Sequence, residues 1–199
     1  MLTGLDLFRV SKALNMTPQE VIEKKTVGYI GDQSHVPVLT LRERLDGSCS
    51  LLRKGKCMVQ ESKPVVCAIY PLGRMYNAMT REINYFRQAY DCQTKQSGSG
   101  SGGKTWTLQE WLDAFHIPDL DKASMVWNRM LTGIAQVTCK IPIEQLPDKM
   151  IGAVSNCLYT NYKIDEPYIE QAETNMLILK LLFSRWYNLN IDYDIKFDT

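Results

Sequence analysis

Histidine is nearly absent: His35 and His116 are the only two in a chain of 199 residues. Both read as lying in unrelated loops, so no Ser-His-Asp arrangement is recognised, and no H-E-x-x-H zinc helix occurs, which leaves two common routes to hydrolysis without support. Charge of one sign is missing too. The 23 basic residues against 22 acidic leave a net charge of +1, so no basic field points to nucleic acid. No apolar run approaches the roughly 18 residues of a membrane helix. The opening MLTGLDLFRV lacks the basic region and longer apolar stretch of a signal peptide. No partner of nucleic-acid or membrane type is therefore expected, and the expected setting is the reducing cytoplasm. There, cysteines are free thiols or metal ligands rather than disulfides. A GxxxxGK[ST] phosphate loop and a C-x-x-C knuckle are both absent.

What is present is a cluster of cysteine on a globular background. The apolar fraction, 45%, is ordinary for a domain with a sizeable core. Of six cysteines, three fall in the stretch from Asp46 to Gly73, DGSCSLLRKGKCMVQESKPVVCAIYPLG. Seven residues separate Cys49 from Cys57 and nine separate Cys57 from Cys67. Cys92 follows after a segment that reads as a β-hairpin, 75–78 with 83–89. Four thiolates around one divalent ion leave a net charge of about −2. Arg53, Lys54, Lys56, Lys63 and Arg74 flank these cysteines and are expected to offset that charge and lower the thiol pKa values. Gly47 and Gly55 permit the tight turns that chelation by short side chains needs. Spacing alone also fits the plainer alternative, buried thiols as small hydrophobes beside solvated lysines.

Helix starts are easily read. Thr3-Gly-Leu-Asp6, Thr17-Pro18-Gln19-Glu20 and Thr107-Leu-Gln-Glu110 are capping-box patterns, the second with proline at the first helical position. Residues 36–41 alternate as a strand, with Pro37 arguing for an edge. From Asp119 the pattern is helical, with amphipathic stripes at 120–137 and 146–158 and a more apolar stretch at 168–186. The fold class expected is α+β and mainly helical: a small β-hairpin and cysteine-rich module with a C-terminal helical bundle. The chain divides into a module at 1–96, a Gly/Ser loop or engineered linker at 97–105, and a helical region at 106–199 packed on the module, a surface for a protein partner. His35 reads as a surface residue and His116 as a partner of a helix C-terminus. Cys139 and Cys157 read as buried helical thiols. Residues 192–199 are compatible with a final strand or a disordered tail.

The linked motif carries a resemblance. Gly47-x-Cys49-x-Leu51-Leu52, Cys57-Met-Val, and Lys63-Pro64-x-x-Cys67-x-Ile69-Tyr70-Pro71-Leu72 resemble the YkgJ-type cysteine-cluster family of zinc- or iron-chelating proteins. The opening Leu2-Thr3-x-x-Asp6-Leu7-x-Arg9-Val10 is similar to that family's leading segment. Cys92, followed by a glycine-rich turn and Thr107-Leu-Gln-Glu110-Trp111, resembles its last cysteine and following helix. The similarity spans roughly residues 1–115. Lys63 and Ala68 stand where the family usually has arginine. The upstream cysteine group usual in the family is missing, so some of its ligands are expected to lie outside this sequence. The resemblance implies a bacterial metal-binding protein with Cys49, Cys57, Cys67 and Cys92 as ligands to zinc or iron. It also implies a less favoured alternative, an iron–sulfur enzyme akin to relatives associated with lysine methylation of flagellin. A metal-free interaction module is the third expectation.

Overall fold

The computed structural model describes residues 1–88 and 105–194. Cys92, most of the 97–105 segment and residues 195–199 lie outside them. Helix α1 (Gly4–Leu14) starts where the Thr3 hydroxyl accepts the Asp6 N–H while the Asp6 side chain accepts the Thr3 N–H. Asn15 closes it in the left-handed conformation at φ 50°, which asparagine tolerates better than most residues. Helix α2 (Pro18–Lys25) repeats the box with Thr17 and Glu20.

Three two-stranded antiparallel sheets follow. Strand β1 (Thr26–Ile30) pairs with β2 (Pro37–Leu41), and Leu2 ties the start of the chain to β2 through its N–H to the Leu39 carbonyl, 2.7 Å. Strand β3 (Leu52–Arg53) turns into β4 (Lys56–Cys57) through Lys54 and Gly55, both at positive φ. Such a two-residue turn matches the twist of a hairpin, and glycine supplies the second left-handed position without strain. The one-turn helix α3 (Val65–Ala68) leads through a cis Tyr70–Pro71 bond into β5 (Leu72–Asn77) and β6 (Glu82–Arg87).

The second half is helical: α4 (Leu108–Ala114), α5 (Ile117–Thr138), α6 (Asp148–Ser155) and α7 (Tyr168–Tyr187). The third capping box, at Thr107 and Glu110, opens α4. Between α6 and α7 the chain widens into a π-helical turn, Asn156–Thr160. That turn sends the buried Tyr159 hydroxyl to the Pro37 carbonyl and the Leu158 carbonyl to Trp127 Nε1–H. The protein is thus α+β and mainly helical, and among the described residues no helix is long and apolar enough to cross a membrane.

One main core joins the two halves. Leu7 and Val10 of α1, Leu39 of β2, and Leu51 and Val59 beside β3 and β4 pack with Trp127, Met130 and Ile134 of α5 and Leu179 and Phe183 of α7. Burying a side chain of this size contributes roughly 1.5–3 kcal/mol. An aromatic cluster of Phe8, Tyr162 and Tyr168 flanks it, the two tyrosines stacked at 5.1 Å. A third cluster puts Val65 and Ile69, around α3, against Leu112 and Ile117.

Two readings need correction. Cys139 is exposed at the end of α5, because the helix stops there and turns its last residue outward; only Cys157 is buried. His116 does close α4, in the left-handed conformation at φ 52°: its N–H donates to the Asp113 carbonyl in the last turn of α4 at 3.1 Å, and its carbonyl accepts the Leu120 N–H of α5 at 3.3 Å, so it also starts the next helix. His35 does more than a surface residue: its Nδ1 lies 2.9 Å from the Ile141 carbonyl and 3.2 Å from that of Thr138. It fastens the β1–β2 turn to the end of α5.

Candidate metal centre

The three thiols of the Asp46–Gly73 stretch stand on three short segments. Cys49 forms an isolated β-bridge with Glu43, and its Sγ accepts the Leu51 N–H at 3.4 Å. An amide aimed at sulfur presents the positive end of its dipole, the support that metal-ligating sulfur commonly receives. Cys57 is the last residue of β4, opposite Leu52. Both are half-buried and pack on the main core. Cys67 is on α3, with its N–H donated to the Pro64 carbonyl.

Helix α1 holds the loop that brings Cys67 in. Asp6 is 2% exposed. Its Oδ2 accepts from the Thr3 N–H and hydroxyl, while Oδ1 reaches across to the Val65 N–H at 2.8 Å. One carboxylate therefore caps two helices, α1 and α3. One turn on, Arg9 donates from Nη1 to the Lys63 carbonyl at 3.0 Å and from Nη2 to the Glu61 carbonyl at 3.4 Å. The sequence marks Asp6 as a capping residue, but nothing in it shows that its second oxygen binds a helix 59 residues away.

Cys49 and Cys57 lie within electrostatic reach of Cys67. The Cys67 thiol is pushed up to about 11, first by burial and then by the charges of Cys49, Asp6 and Cys57, with Lys63 opposing weakly. Electrostatic influence of this kind acts only over short range in the partly screened surface of a protein. Cys67 is an exposed residue overall. At Cys67 the shift corrects the expectation that neighbouring cations lower the thiol pKa: Lys63 acts in that direction but burial outweighs it. Arg53, Lys54 and Lys56 are exposed. Arg74 is turned away, its Nη1 bonded to Asp121, whose other carboxylate oxygen accepts the Tyr85 hydroxyl.

Sulfur donors of this kind suit zinc or iron in chemical type. In position they are incomplete: among the described residues no three histidine, cysteine, aspartate or glutamate side chains are gathered closely enough to hold an ion. Cys49, Cys57 and Cys67 therefore form no coordination sphere among the described residues, and Cys92 lies outside them. No family model matches the chain, and no curated protein or solved structure matches it either.

A separate feature escaped the sequence reading. Between the β5–β6 hairpin, the start of α1 and the middle of α5 lies a cleft of about 440 Å³. Asn128 of α5 lines it, 7% exposed, with no hydrogen-bond partner for its Nδ2 among the described residues. An asparagine inside an amphipathic helix gives no signal of this in the sequence.

Proposed function

We propose that this chain is a cysteine-site metal-binding protein of YkgJ type, taking zinc or iron at Cys49, Cys57 and Cys67 with Cys92 as the fourth thiolate. The reading is supported by the Leu51 N–H donated to Cys49 Sγ at 3.4 Å and by the electrostatic reach of Cys49 and Cys57 to Cys67, although the three come from separate segments. A four-sulfur site leaves no open position for substrate, so the metal's role in this reading is structural. When bound, it would hold the three short segments together and keep their sulfurs deprotonated. The test is elemental analysis with a thiol count on protein produced in zinc- or iron-supplemented medium. One ion per chain is expected, with loss in Cys67→Ser and retention in Cys139→Ser. Metal-free protein whose thiol reactivity does not change when zinc is added would refute the proposal. Visible absorbance after anaerobic purification would favour an iron–sulfur cluster over zinc.

A second reading, an interaction module, draws on α7. There Leu177 and Leu181 lie one turn apart and are 64% and 56% exposed, with Trp186 nearby at 58%. A protein equally compact with and without metal, bound through this helix, would favour it.

A further inference from the structure

The cleft beside β5 has the features of a strand-binding edge. Gly73, Arg74, Met75 and Tyr76 line it in succession. Successive strand residues point to opposite faces, so four in a row share a wall only along the strand's edge. Strand β6 is the only strand partner of β5 among the described residues.

The register shows which main-chain groups are left on that edge. Gln88 donates to the Pro71 carbonyl at 3.2 Å, and the pairing runs Leu72 with Arg87 and Gly73 with Phe86. Hydrogen-bonded pairs alternate in an antiparallel ladder, so residues 71, 73, 75 and 77 bond toward β6. Leu72, Arg74 and Tyr76 face the other way. The Leu72 N–H is taken by the Ile69 carbonyl at 2.9 Å. No main-chain partner is found among the described residues for the N–H and C=O of Arg74 and Tyr76.

Two further observations point to the same occupant. Met1, Val66, Met75 and Phe86 all line the cleft, and they are 55%, 40%, 58% and 51% exposed. A contiguous apolar rim of this sort marks interaction sites. Inside it, Asn128 holds a buried donor with no acceptor, and a buried polar group is normally satisfied. The charged side chains lining the cleft are already engaged: Arg74 with Asp121, and Asp6 with Thr3 and Val65. A ligand with uncharged apolar side chains and main-chain amides suits the open strand edge, the apolar rim and the Asn128 donor together.

We propose that the open edge of β5 receives an uncharged, extended peptide from a partner protein as an added strand. Its main chain bonds Arg74 and Tyr76, a carbonyl accepts from Asn128 Nδ2, and alternate apolar side chains lie in the cleft. This is strand addition, in which main-chain bonds supply affinity and pockets for alternate residues supply specificity. None of Cys49, Cys57 and Cys67 lines the cleft, so the inference stands apart from the metal reading.

The test is a ¹⁵N-resolved NMR titration of the intact protein with capped hexapeptides alternating valine or leucine with serine. Saturable shifts are expected at the Arg74 and Tyr76 amides and the Asn128 side-chain NH₂. N-methylation of the peptide at every second residue should weaken binding about tenfold in one register and leave the other unchanged, since only one set of amides faces β5. Asn128→Leu, which keeps the volume and removes the orphaned donor, should weaken binding several-fold with the rest of the spectrum preserved. Absence of shifts at these amides up to millimolar peptide overturns the proposal. Equal affinity in both N-methylated registers does so too, as does a concentration-dependent dimer that protects the same amides without peptide.

Discussion

Removing the Asp6 carboxylate perturbs the thiol patch most sharply while leaving every thiol in place. Its two oxygens serve Thr3 and Val65, and Val65 is itself 1% exposed. Asp6→Ala leaves the Val65 N–H buried without an acceptor, a loss of roughly 1–3 kcal/mol. It also takes away the Asp6 half of the α1 capping box, which contributes about 1 kcal/mol, and uncovers the Thr3 hydroxyl. The total is on the order of 3–5 kcal/mol, among the larger effects of a single substitution. At about 2–4 °C per kcal/mol for a chain of this length, the melting temperature should fall by roughly 6–20 °C. Urea unfolding gives the free energy directly. Asp6→Asn is the more discriminating variant. It retains shape and one acceptor oxygen but must turn an NH₂ either toward the Thr3 donors or toward the Val65 N–H, so about half the loss is expected. Because Asp6 caps the helix carrying Cys67, Asp6→Ala should also weaken zinc uptake. Thr17→Ala, a cap of the same kind on α2, should not. A loss below about 1 kcal/mol, or an Asp6→Asn protein as stable as the parent, would refute the claim that one carboxylate couples α1 to α3.

Other substitutions and conditions probe separate parts of the argument. A Cβ at Gly4 would lie 2.4 Å from the Leu158 carbonyl oxygen and 2.6 Å from the Trp127 ring, so Gly4→Ala should cost about 2–3 kcal/mol by overpacking; thermal melting of the variant checks this. Burial alone pushes the Cys157 thiol from 9.0 to about 11. The folded state then keeps a proton that the unfolded chain loses, so stability falls as pH rises from about 9 to 11. Cys157→Ala should flatten that fall by about 2–3 kcal/mol in urea titrations, and an unchanged slope would count against it. Alkylation of Cys67 in metal-free protein should still accelerate between pH 9 and 10 and be suppressed by zinc; a plateau below pH 9 would contradict the upward shift that burial gives this thiol. Tyr85→Phe removes one of the two donors to Asp121 and should cost about 1–2 kcal/mol, with amide exchange rising selectively in the β5–β6 hairpin.

Local signals in the sequence carried most of the secondary structure. Each of the three Thr-x-x-Asp/Glu patterns opens a helix, because a capping box is complete within four residues and needs nothing from the rest of the fold. The 36–41 alternation became β2, and the 168–186 stretch became α7 almost residue for residue. Long-range features were not legible. The second bond of Asp6, the His35 contacts at the end of α5 and the unpartnered amide of Asn128 all depend on which segments meet. The same limit explains the sign at Cys67. The sequence shows five cations near the cysteines in order along the chain, whereas the thiol responds to burial and to the two other sulfurs before it responds to Lys63. Cys139 went astray for a related reason: helical spacing gives a face, and a helix end can turn that face outward.

The elements around the thiols are too short to stand by themselves, and this bears on what an ion would do there. Strands β3 and β4 have two residues each, and α3 has four. An isolated hairpin is marginal in water even at greater length, and one turn of helix pays nucleation without propagation. What fixes them is borrowed from outside: Leu51 and Val59 set in the main core, Val65 and Ile69 in the third cluster, and Asp6 and Arg9 on α1. These anchors secure the backbone on either side of each cysteine but leave the sulfurs only partly enclosed. A thiolate-bound ion would cross-link the three segments at the edge of the core, where Cys49 and Cys57 are only half-buried. Metal removal should therefore loosen residues 43–68, with amide exchange rising there first, while the contacts among α5, α6 and α7 remain protected. Uniform loss of protection across both halves would mean that the ion, if bound at all, supports the core itself.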